Sequence, residues 1–347
     1  MVQNKGVIYK KLPEREPVVG EHLVLEDRPI DLDNVKAPPG GLFVKVLWAS
    51  LDPYMRGRLR DPKIPSYVPP YDLDTPISGY NVCKVLASNN SSYAVGDLVA
   101  SPSALAEYSP VPEVAMGHVN KINDTFGLSL GQFVGALGMP GTTAYEGLYR
   151  IGKPKKGETV FVSSAAGAVG QMVGQLAKIE GCTVIGSVGS KEKVDFVIND
   201  LGFDAAFNYK EETPEAALTR LAPKGVDIYF DNVGAEHLDA ALNHMNLKGR
   251  IICCGMISQY STPVNERYGL KNALNIVARQ LAIEGFIVRY NQETVDKLRA
   301  YAGPLIKDGK IVAKLDVTEG IDAAADGFVG MLAGKNFGKA VVKVQDA

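Results

Sequence analysis

The chain has 347 residues, of which 46% are apolar and 22% charged, an ordinary globular composition with enough length for two domains. Its net charge of −2 gives no electrostatic footprint for nucleic acid or for an anionic membrane. No apolar run approaches the roughly 18 residues of a membrane span, and the first residues lack a signal-peptide core, so we expect neither feature.

The cysteines and histidines predict a metal-free protein of a reducing compartment. The four cysteines, Cys83, Cys182, Cys253 and Cys254, form no C-x-x-C pair, and no Cys/His cluster has the spacing of zinc ligands. Unpaired cysteines are typical of proteins from the cytosol. We therefore expect no metal and a cytoplasmic location.

The first 130 residues show short strand patterns separated by turns. Alternating apolar residues predict strands at 44–48, 82–86 and 97–100, each bounded by Gly, Pro or Asn. Residues 57–76 are rich in Pro, Tyr and charge, which predicts an irregular loop over a site. This part of the chain predicts a compact, mostly-β domain.

The pattern changes near residue 129, where a helical stretch runs to 151 with an interruption at 139–141. From 158 onward strands and helices alternate, which predicts a doubly wound parallel sheet. The predicted strands are 159–163, 182–187, 204–207, 226–231, 249–254 and 282–288. The predicted helices are 171–179, 192–201, 214–222, 237–245, 270–280 and 292–308. We predict one domain over 1–130 and 300–347 and a second over 131–299, which makes the first discontinuous.

A dinucleotide-binding motif lies at the start of this alternation. The apolar run 159–162 is followed by the small-residue turn 163–170 and then by a helix. Gly167 and Gly170 occupy the second and third glycine positions of G-x-G-x-x-G, and Ala165 stands at the first. Free N–H groups at the helix N-terminus suit a pyrophosphate.

The residues after the next strand indicate which dinucleotide is bound. An NAD site would carry Asp or Glu there for the ribose 2′-hydroxyl, whereas this chain has Gly189-Ser190-Lys191-Glu192-Lys193. Hydroxyls and lysines suit a 2′-phosphate and predict NADPH. The alternative is that Lys191 and Lys193 form a solvated face opposite Glu192.

Several segments, taken together, resemble one protein family. They are Leu51-Asp52-Pro53-Tyr54-Met55-Arg56, the strings at 138–145, 165–170 and 202–210, Tyr229-Phe230-Asp231-Asn232-Val233-Gly234, and Cys254-Gly255-Met256-Ile257-Ser258-Gln259-Tyr260. The set is similar to the zinc-independent medium-chain dehydrogenases/reductases. Within these it resembles the double-bond reductases, a group with plant alkenal reductases and mammalian prostaglandin reductase (leukotriene 12-hydroxydehydrogenase).

The resemblance implies a GroES-like mostly-β catalytic domain, a Rossmann domain, NADPH and a homodimer. It also implies reduction of the carbon–carbon double bond of an enal or enone. The residues that it places at the cofactor are Gly167, Ala168, Val169, Gly170, Gly189, Ser190, Lys193, Tyr209, Asn232, Cys254, Gly255, Met256, Ile257, Ser258, Tyr260, Phe286, Ile287, Val288 and Asn336.

Reduction of an activated alkene needs a donor to the carbonyl oxygen and a proton for the α-carbon. Tyrosine hydroxyls suit both tasks because they are neutral donors near pH 7. We predict Tyr260 as the polar donor and candidate proton source and Tyr54 as a substrate-positioning group, with Tyr80 a further pocket residue. The ribose 2′-hydroxyl of the cofactor is a rival donor, and packing alone is the rival role for each tyrosine.

Two other functions fit the same sequence. A quinone reductase of the same superfamily shares the fold and the cofactor, and a non-catalytic NADPH-binding protein would retain the motif without turnover. The segment 256–260 favours the double-bond reductase, and the substrate itself is left open.

Overall fold

The computed structural model describes residues 1–346, and in that range no helix is long and apolar enough to cross a membrane. The chain forms two compact units. The first contains residues 1–139, 290–307 and 315–346, and the second contains 140–289 and 308–314. Compared with the predicted boundaries, 131–139 and 290–299 pack with the first unit, and 308–314 pack with the second.

The elements follow one another along the chain with few long gaps. The strands are β1 Lys5–Tyr9, β2 Leu23–Asp27, β3 Leu42–Ser50, β4 Ser78–Ser88, β5 Leu98–Ala104, β6 Tyr108–Val111, β7 Asn120–Lys121, β8 Thr159–Ser163, β9 Thr183–Val188, β10 Ala205–Asn208, β11 Val226–Asp231, β12 Met245–Cys253, β13 Ala282–Gly285, β14 Leu315–Glu319 and β15 Lys339–Lys343. The helices are α1 Tyr54–Arg58, α2 Met139–Glu146, α3 Ala168–Ile179, α4 Lys191–Asn199, α5 Pro214–Leu221, α6 Ala235–His244, α7 Leu274–Ala278, α8 Gln292–Lys307 and α9 Ala324–Leu332.

The first unit is built on a seven-stranded, mostly antiparallel sheet. Its strand order is β14-β15-β3-β4-β5-β7, with β6 also paired to β3. The C-terminal strand β15 runs antiparallel to β3 and places Val341 opposite Ser50. The end of the chain therefore completes a sheet that begins with its first 50 residues.

The second unit is a six-stranded parallel sheet with strand order β10-β9-β8-β11-β12-β13. The strand that comes first in this unit, β8, lies in the centre, and the order reverses between β8 and β11. This is the doubly wound order of the Rossmann fold, so the predicted α/β fold class is confirmed. Ligands of such sheets bind at the carboxyl ends of the strands beside the reversal.

Three predicted elements differ from the structure. The helix predicted at 270–280 covers only α7, and the strand predicted at 282–288 ends at Gly285. The break predicted at 139–141 lies instead at 135–138, between a short 3-10 helix at Leu130–Val134 and α2, which starts at Met139 with Pro140 in its first turn. A proline there costs no hydrogen bond, since the first N–H groups of a helix have no intrahelical acceptor.

All four cysteines are free thiols, with Cys83 and Cys182 buried. Among residues 1–346, no group of three or more His, Cys, Asp or Glu side chains is arranged to hold a metal ion. The predicted absence of a metal stays a prediction.

Candidate active site

The turn between β8 and α3 brings the helix unusually close to the strand that precedes it. A Cβ atom at Gly170 would lie only 2.2 Å from the backbone oxygen of Ser164, which is part of the turn. Ser164 itself takes a left-handed conformation with φ of 52°, and Ala165 is fully buried. Only glycine fits at position 170, and the close approach aims the N-terminus of α3 along the carboxyl edge of the sheet.

The N-terminus of α3 is suited to an anion. Its N-cap is Gly167, which provides no side chain to cap the helix. The backbone N–H groups of the first turn, Ala168 to Gly170, have no intrahelical acceptors, and the helix dipole is positive at this end. These residues fit the pyrophosphate of a dinucleotide.

Hydroxyl and basic side chains follow β9, and no Asp or Glu stands directly after the strand. The Ser190 hydroxyl caps α4 by accepting the N–H of Lys193 at 3.3 Å. A Cβ atom at Gly189 would lie 3.1 Å from the ring of Tyr209, so Tyr209 covers this glycine. These residues fit a ribose 2′-phosphate better than a 2′-hydroxyl, because no Asp or Glu follows the strand directly.

The two lysines of this loop have different environments. Lys191 is exposed and pairs with Asp195 one helical turn later, with Nζ and Oδ2 2.7 Å apart. This is the solvated surface role that the alternative interpretation assigned to it. Lys193 is half-buried in the first turn of α4. Of the two, Lys193 is the better candidate for a phosphate contact.

The loops after β8 and β11 are tied together where the strand order reverses. The Asn232 amide donates from Nδ2 to the Ser163 backbone oxygen at 2.7 Å, and its backbone N–H donates to the Ser163 hydroxyl at 3.0 Å. Asp231 is fully buried, and its Oδ1 accepts the backbone N–H groups of Val233 and Gly234. Burial raises the pKa of Asp231, while these hydrogen bonds lower it. The network fixes the backbone on which Asn232 is presented.

The segment Cys254 to Tyr260 forms part of the wall of an open cavity of about 680 Å³. Its backbone follows the loop after β11, because Ile257 and Ser258 donate to the carbonyl oxygens of Asn232 and Val233. The described lining of the cavity is Cys253, Cys254, Gly255, Met256, Gln259, Tyr260, Arg267, Tyr268, Gly285, Phe286 and Ile287. The cavity thus lies at the carboxyl ends of β12 and β13.

The hydroxyl of Tyr260 points back into this loop. It accepts the backbone N–H of Met256 at 3.2 Å. A Cβ atom at Gly255 would lie 2.8 Å from the same hydroxyl, so a larger residue there would displace it. The ring of Tyr260 is therefore held with its oxygen against the cavity wall.

Two thiols of low reactivity, Cys253 and Cys254, also line the cavity. Burial raises the pKa of both Cys253 and Cys254 to about 12, and the nearby Asp231 carboxyl adds to this. Both side chains therefore stay protonated near neutral pH. A protonated thiol is a weak nucleophile.

The segment 286–288 continues from the edge strand β13. Phe286 donates its backbone N–H to the Cys253 oxygen at 3.4 Å, and its ring packs so closely on Gly147 that a Cβ there would lie 2.8 Å away. Ile287 is 57% exposed and Val288 is half-buried. The predicted cofactor residues of the second unit thus lie along one edge of its sheet, after β8, β9, β11, β12 and β13.

Three predicted site residues, Tyr54, Tyr80 and Asn336, belong to the first unit. Tyr54 begins α1 and Tyr80 lies on β4, and both are half-buried. Burial, together with Tyr71, Asp52 and Tyr80, holds the pKa of Tyr54 well above its ordinary value. Tyr54 is therefore a neutral hydroxyl at physiological pH.

Asn336 lies in the turn before β15. Its Nδ2 donates to the Gly338 backbone oxygen at 2.7 Å. The amide oxygen of Asn336, which takes no part in this bond, is an acceptor.

A buried ion pair lies next to Tyr54, and no pattern in the sequence predicted it. The Lys339 ammonium is 2.9 Å from the Asp52 carboxylate and also donates to the Leu51 oxygen at 2.6 Å. Lys339 is 2% exposed, and burial lowers its pKa although Asp52 opposes this. The two residues are 287 positions apart, so no local pattern indicates the pair.

Other cavity residues were also missed. Gln259, Arg267 and Tyr268 line the cavity, and the Gln259 amide oxygen accepts the Tyr268 N–H at 2.9 Å. They lie in irregular chain after β12, where neither periodicity nor spacing gives a signal. The only sequence signals were the position of Gln259 within the loop 254–260 and that of Arg267 and Tyr268 between this loop and α7.

Two family models match the chain, one for each part of this architecture. The model described as "Zinc-binding dehydrogenase" matches residues 168–302, and the model "N-terminal domain of oxidoreductase" matches 25–119. A zinc-type alcohol dehydrogenase-like protein of Schizosaccharomyces pombe is 46% identical over the whole of both chains. The chain belongs to the medium-chain dehydrogenase/reductase family.

Two further members of this family are informative about chemistry. An NADP⁺-dependent 2-alkenal reductase of Nicotiana tabacum is 45% identical over 99% of this chain and 98% of the relative. The crystal structure of CurA from Vibrio vulnificus in complex with NADPH has a TM-score of 0.88 and 34% identity, covering 99% of this chain and all of that one. The predicted family resemblance is confirmed.

Proposed function

We propose that this medium-chain dehydrogenase/reductase reduces the activated carbon–carbon double bond of α,β-unsaturated aldehydes and ketones. A hydride goes to the β-carbon and a proton to the α-carbon. The protein is an NADPH-dependent oxidoreductase, in keeping with the NADP⁺-dependent tobacco relative and the NADPH complex of CurA. The name of the tobacco relative supports 2-alkenals as the substrate class.

The observation that carries the proposal is the placement of Tyr260. Its hydroxyl lies in the wall of a cavity at the carboxyl ends of β12 and β13, the edge where a Rossmann sheet binds its cofactor. The Met256 N–H occupies one lone pair of this oxygen and so orients the phenol. A neutral, oriented phenol suits an alkene reduction because it donates to a carbonyl oxygen without carrying charge.

NADPH supplies the hydride when it is bound. In our proposal the α3 N-terminus binds the pyrophosphate, and Ser190, Lys193 and Tyr209 bind the 2′-phosphate. Asn232 and the loop 254–258 hold the remainder of the dinucleotide together with 286–288 and Asn336. The buried Asp231 network supports this assignment because it makes the presenting loop rigid.

The chain's tyrosines supply the other groups that the reaction needs. Tyr260 donates a hydrogen bond to the substrate carbonyl oxygen, which stabilises the negative charge that develops there as the β-carbon is reduced. Tyr54 positions the substrate as a neutral donor, a role that its raised pKa supports. The proton then reaches the α-carbon from Tyr260 or from solvent.

We also propose that the reaction proceeds without zinc. One of the matching family models and the Schizosaccharomyces pombe relative have zinc in their names. In this chain, however, the histidines lie far apart in the sequence and do not have the spacing of zinc ligands. They are His22, His118, His237 and His244. A chelator such as 1,10-phenanthroline is expected to leave the rate of enone reduction unchanged. A loss that added zinc restores would contradict this part of the proposal.

We propose further that the protein is a homodimer and that it is located in the cytoplasm. The edge strand β13 is exposed along its whole length, and apolar side chains nearby are exposed too, with Leu274 at 79% and Val277 at 76%. An open apolar sheet edge is suited to pairing with another copy. The four free thiols favour a reducing, cytoplasmic setting.

The test of the function is NADPH oxidation at 340 nm with a 2-alkenal, an aryl enone and a quinone, each repeated with NADH. We expect turnover with the enal and enone, a saturated carbonyl product, and a much lower rate with NADH. Turnover with the quinone alone would assign the protein to the quinone reductases. Tight NADPH binding without turnover of any substrate would favour the non-catalytic alternative.

A further inference from the structure

Tyr290 is a buried residue whose hydroxyl has no hydrogen-bond partner in the described chain. The residue is 4% exposed, yet its phenolic oxygen is without a donor or an acceptor. Buried polar groups are nearly always hydrogen-bonded, because desolvation without a new partner is unfavourable. A buried tyrosine hydroxyl without a hydrogen-bond partner therefore indicates that a ligand atom supplies the missing hydrogen bond.

Tyr290 lies against Tyr80, one of the predicted substrate residues of the first unit. Its ring packs edge-on against Tyr80, with ring centroids 4.8 Å apart and planes at 75°. Tyr80 is half-buried, whereas Tyr290 is buried beneath it. A molecule that contacts Tyr80 therefore lies within one ring of Tyr290.

A second buried donor near Tyr290 also lacks an acceptor. Arg299 donates from Nε to the Leu137 oxygen at 3.1 Å and from Nη1 to the Lys121 oxygen at 2.6 Å, while its Nη2 is buried without a partner. Tyr290 and Arg299 interact electrostatically. Both groups can donate a hydrogen bond to an oxygen atom of a ligand.

The protonation state of Tyr290 fits a donor. Burial raises its pKa, Arg299 opposes the shift, and Tyr80 and Asp52 add smaller raising effects. The phenol is therefore neutral across the physiological range. It donates its proton in a hydrogen bond and does not act as a base.

Tyr9 is a second tyrosine with a buried, unpartnered hydroxyl, but it is part of the apolar core of the first unit, with Val7, Leu23 and Leu42. Tyr290 does not belong to that described core cluster. The same chemical group thus occurs twice in the first unit, once in a core and once beside the predicted pocket.

We propose that Tyr290 is a further substrate-contacting residue, whose hydroxyl donates a hydrogen bond to an oxygen atom of the enal or enone. This inference rests on the proposed function. It adds a specificity-determining residue to Tyr54 and Tyr80.

The test compares Tyr290→Phe with Tyr9→Phe as a matched control. Each variant removes one unpartnered buried hydroxyl and keeps the ring, so neither is expected to unfold more readily than the wild type. We expect Y290F to lower kcat/KM for an aryl enone about tenfold, the effect of one hydrogen bond of ~1.4 kcal/mol. The Kd for NADPH, measured by fluorescence, should not change, and Y9F should have wild-type kinetics.

Binding of the saturated ketone product to the NADP⁺-loaded protein gives a second measurement that needs no turnover. We expect its Kd to rise in Y290F and not in Y9F. Kinetics of Y290F within twofold of the wild type, with an unchanged product Kd, would overturn the inference. An equal loss of NADPH affinity would overturn it too, because the hydroxyl would then act through the fold.

The two proposals fail in different ways. A wild-type protein that reduces no enal or enone refutes the proposed function. A wild-type protein that reduces them while Y290F does so equally well refutes only the role of Tyr290.

Discussion

At the scale of single residues, Lys193 is the main candidate for selecting NADPH over NADH. Lys193→Ala is expected to raise the KM for NADPH at least tenfold and to leave the KM for NADH nearly unchanged. The reason is that a cation facing a 2′-phosphate contributes about 1.5–3 kcal/mol as a charge-assisted hydrogen bond. Steady-state kinetics with both cofactors measure the ratio.

Lys191→Ala is the matched control because the two lysines are two positions apart in α4. The Lys191 ammonium pairs with Asp195 at the surface, so its loss should leave both KM values unchanged. Equal effects of the two substitutions would mean that a general positive field, and not a contact from Lys193, selects the cofactor.

His237 makes the stability of the protein depend on pH. Burial lowers the pKa of His237 to about 4, and its Nε2 lies 2.7 Å from the Ser187 hydroxyl. The unfolded chain binds a proton near pH 6.5, so between about pH 6.5 and 4 it holds more protons than the native state. The free energy of unfolding should therefore fall as the pH falls through this window, by roughly 3 kcal/mol in all.

Urea unfolding of the wild type and of His237→Gln at several values from pH 7 to 4.5 measures this contribution. The glutamine retains a polar partner for Ser187 and does not titrate, so the variant should lose less stability on acidification. Parallel curves for the two proteins would show that His237 does not contribute.

At the scale of elements, β13 and α7 form the exposed edge of the second unit. We expect Ile283→Glu to convert the proposed dimer into a monomer, because a charge on an edge strand prevents pairing with another copy. Ile283 is 39% exposed on β13, so the change should leave the fold of the subunit intact. Light scattering coupled to size-exclusion chromatography gives the molar mass.

The control for this edge is Ile179→Glu at the end of α3, where an apolar residue is also exposed. It should leave the molar mass at the wild-type value. A wild-type protein that is already a monomer, or an I283E protein that stays dimeric, would rule out pairing through β13.

At the scale of the whole molecule, the buried pair of Lys339 and Asp52 joins the end of the chain to its beginning. Lys339→Met is expected to lower the free energy of unfolding by about 3–5 kcal/mol, because it leaves the Asp52 carboxylate buried without a counter-ion. The double variant D52N/K339M should recover much of this loss. Chemical denaturation of the wild type, both single variants and the double variant gives the coupling energy.

An exposed pair serves as the control for this cycle. Lys297 pairs with Glu293 on the surface of α8, and K297M should change stability little. A double variant that is as unstable as the sum of its two single variants would mean that Asp52 and Lys339 are not coupled.

The sequence by itself determined the features that depend on neighbouring residues. The alternation of buried strands and helices gave the parallel sheet, since a period of 2 or 3.6 records which face of each element is buried. Small residues at 165–170 predicted the strand–turn–helix, and Gly170 is indeed a position where no Cβ fits. The roles of the individual cofactor and substrate residues stay predictions.

Exposed elements were predicted less well than buried ones. The predicted helix at 270–280 and strand at 282–288 were too long because apolar residues there suggested burial. In the structure, Leu274, Val277 and Ile283 are exposed, so no core fixes the length of α7 or β13. An apolar residue in a sequence does not reveal whether it faces its own core or the surface of the subunit.

Only the tertiary structure decided which distant residues meet. The Asp52–Lys339 pair, the orphan hydroxyl of Tyr290 and the assignment of 131–139 and 290–299 to the first unit all arise from pairing across long stretches of chain. Local spacing reflects hydrogen bonds and periodicity within an element. It contains no information about residues far apart in the sequence that meet only in the folded chain, as when β15 pairs with β3.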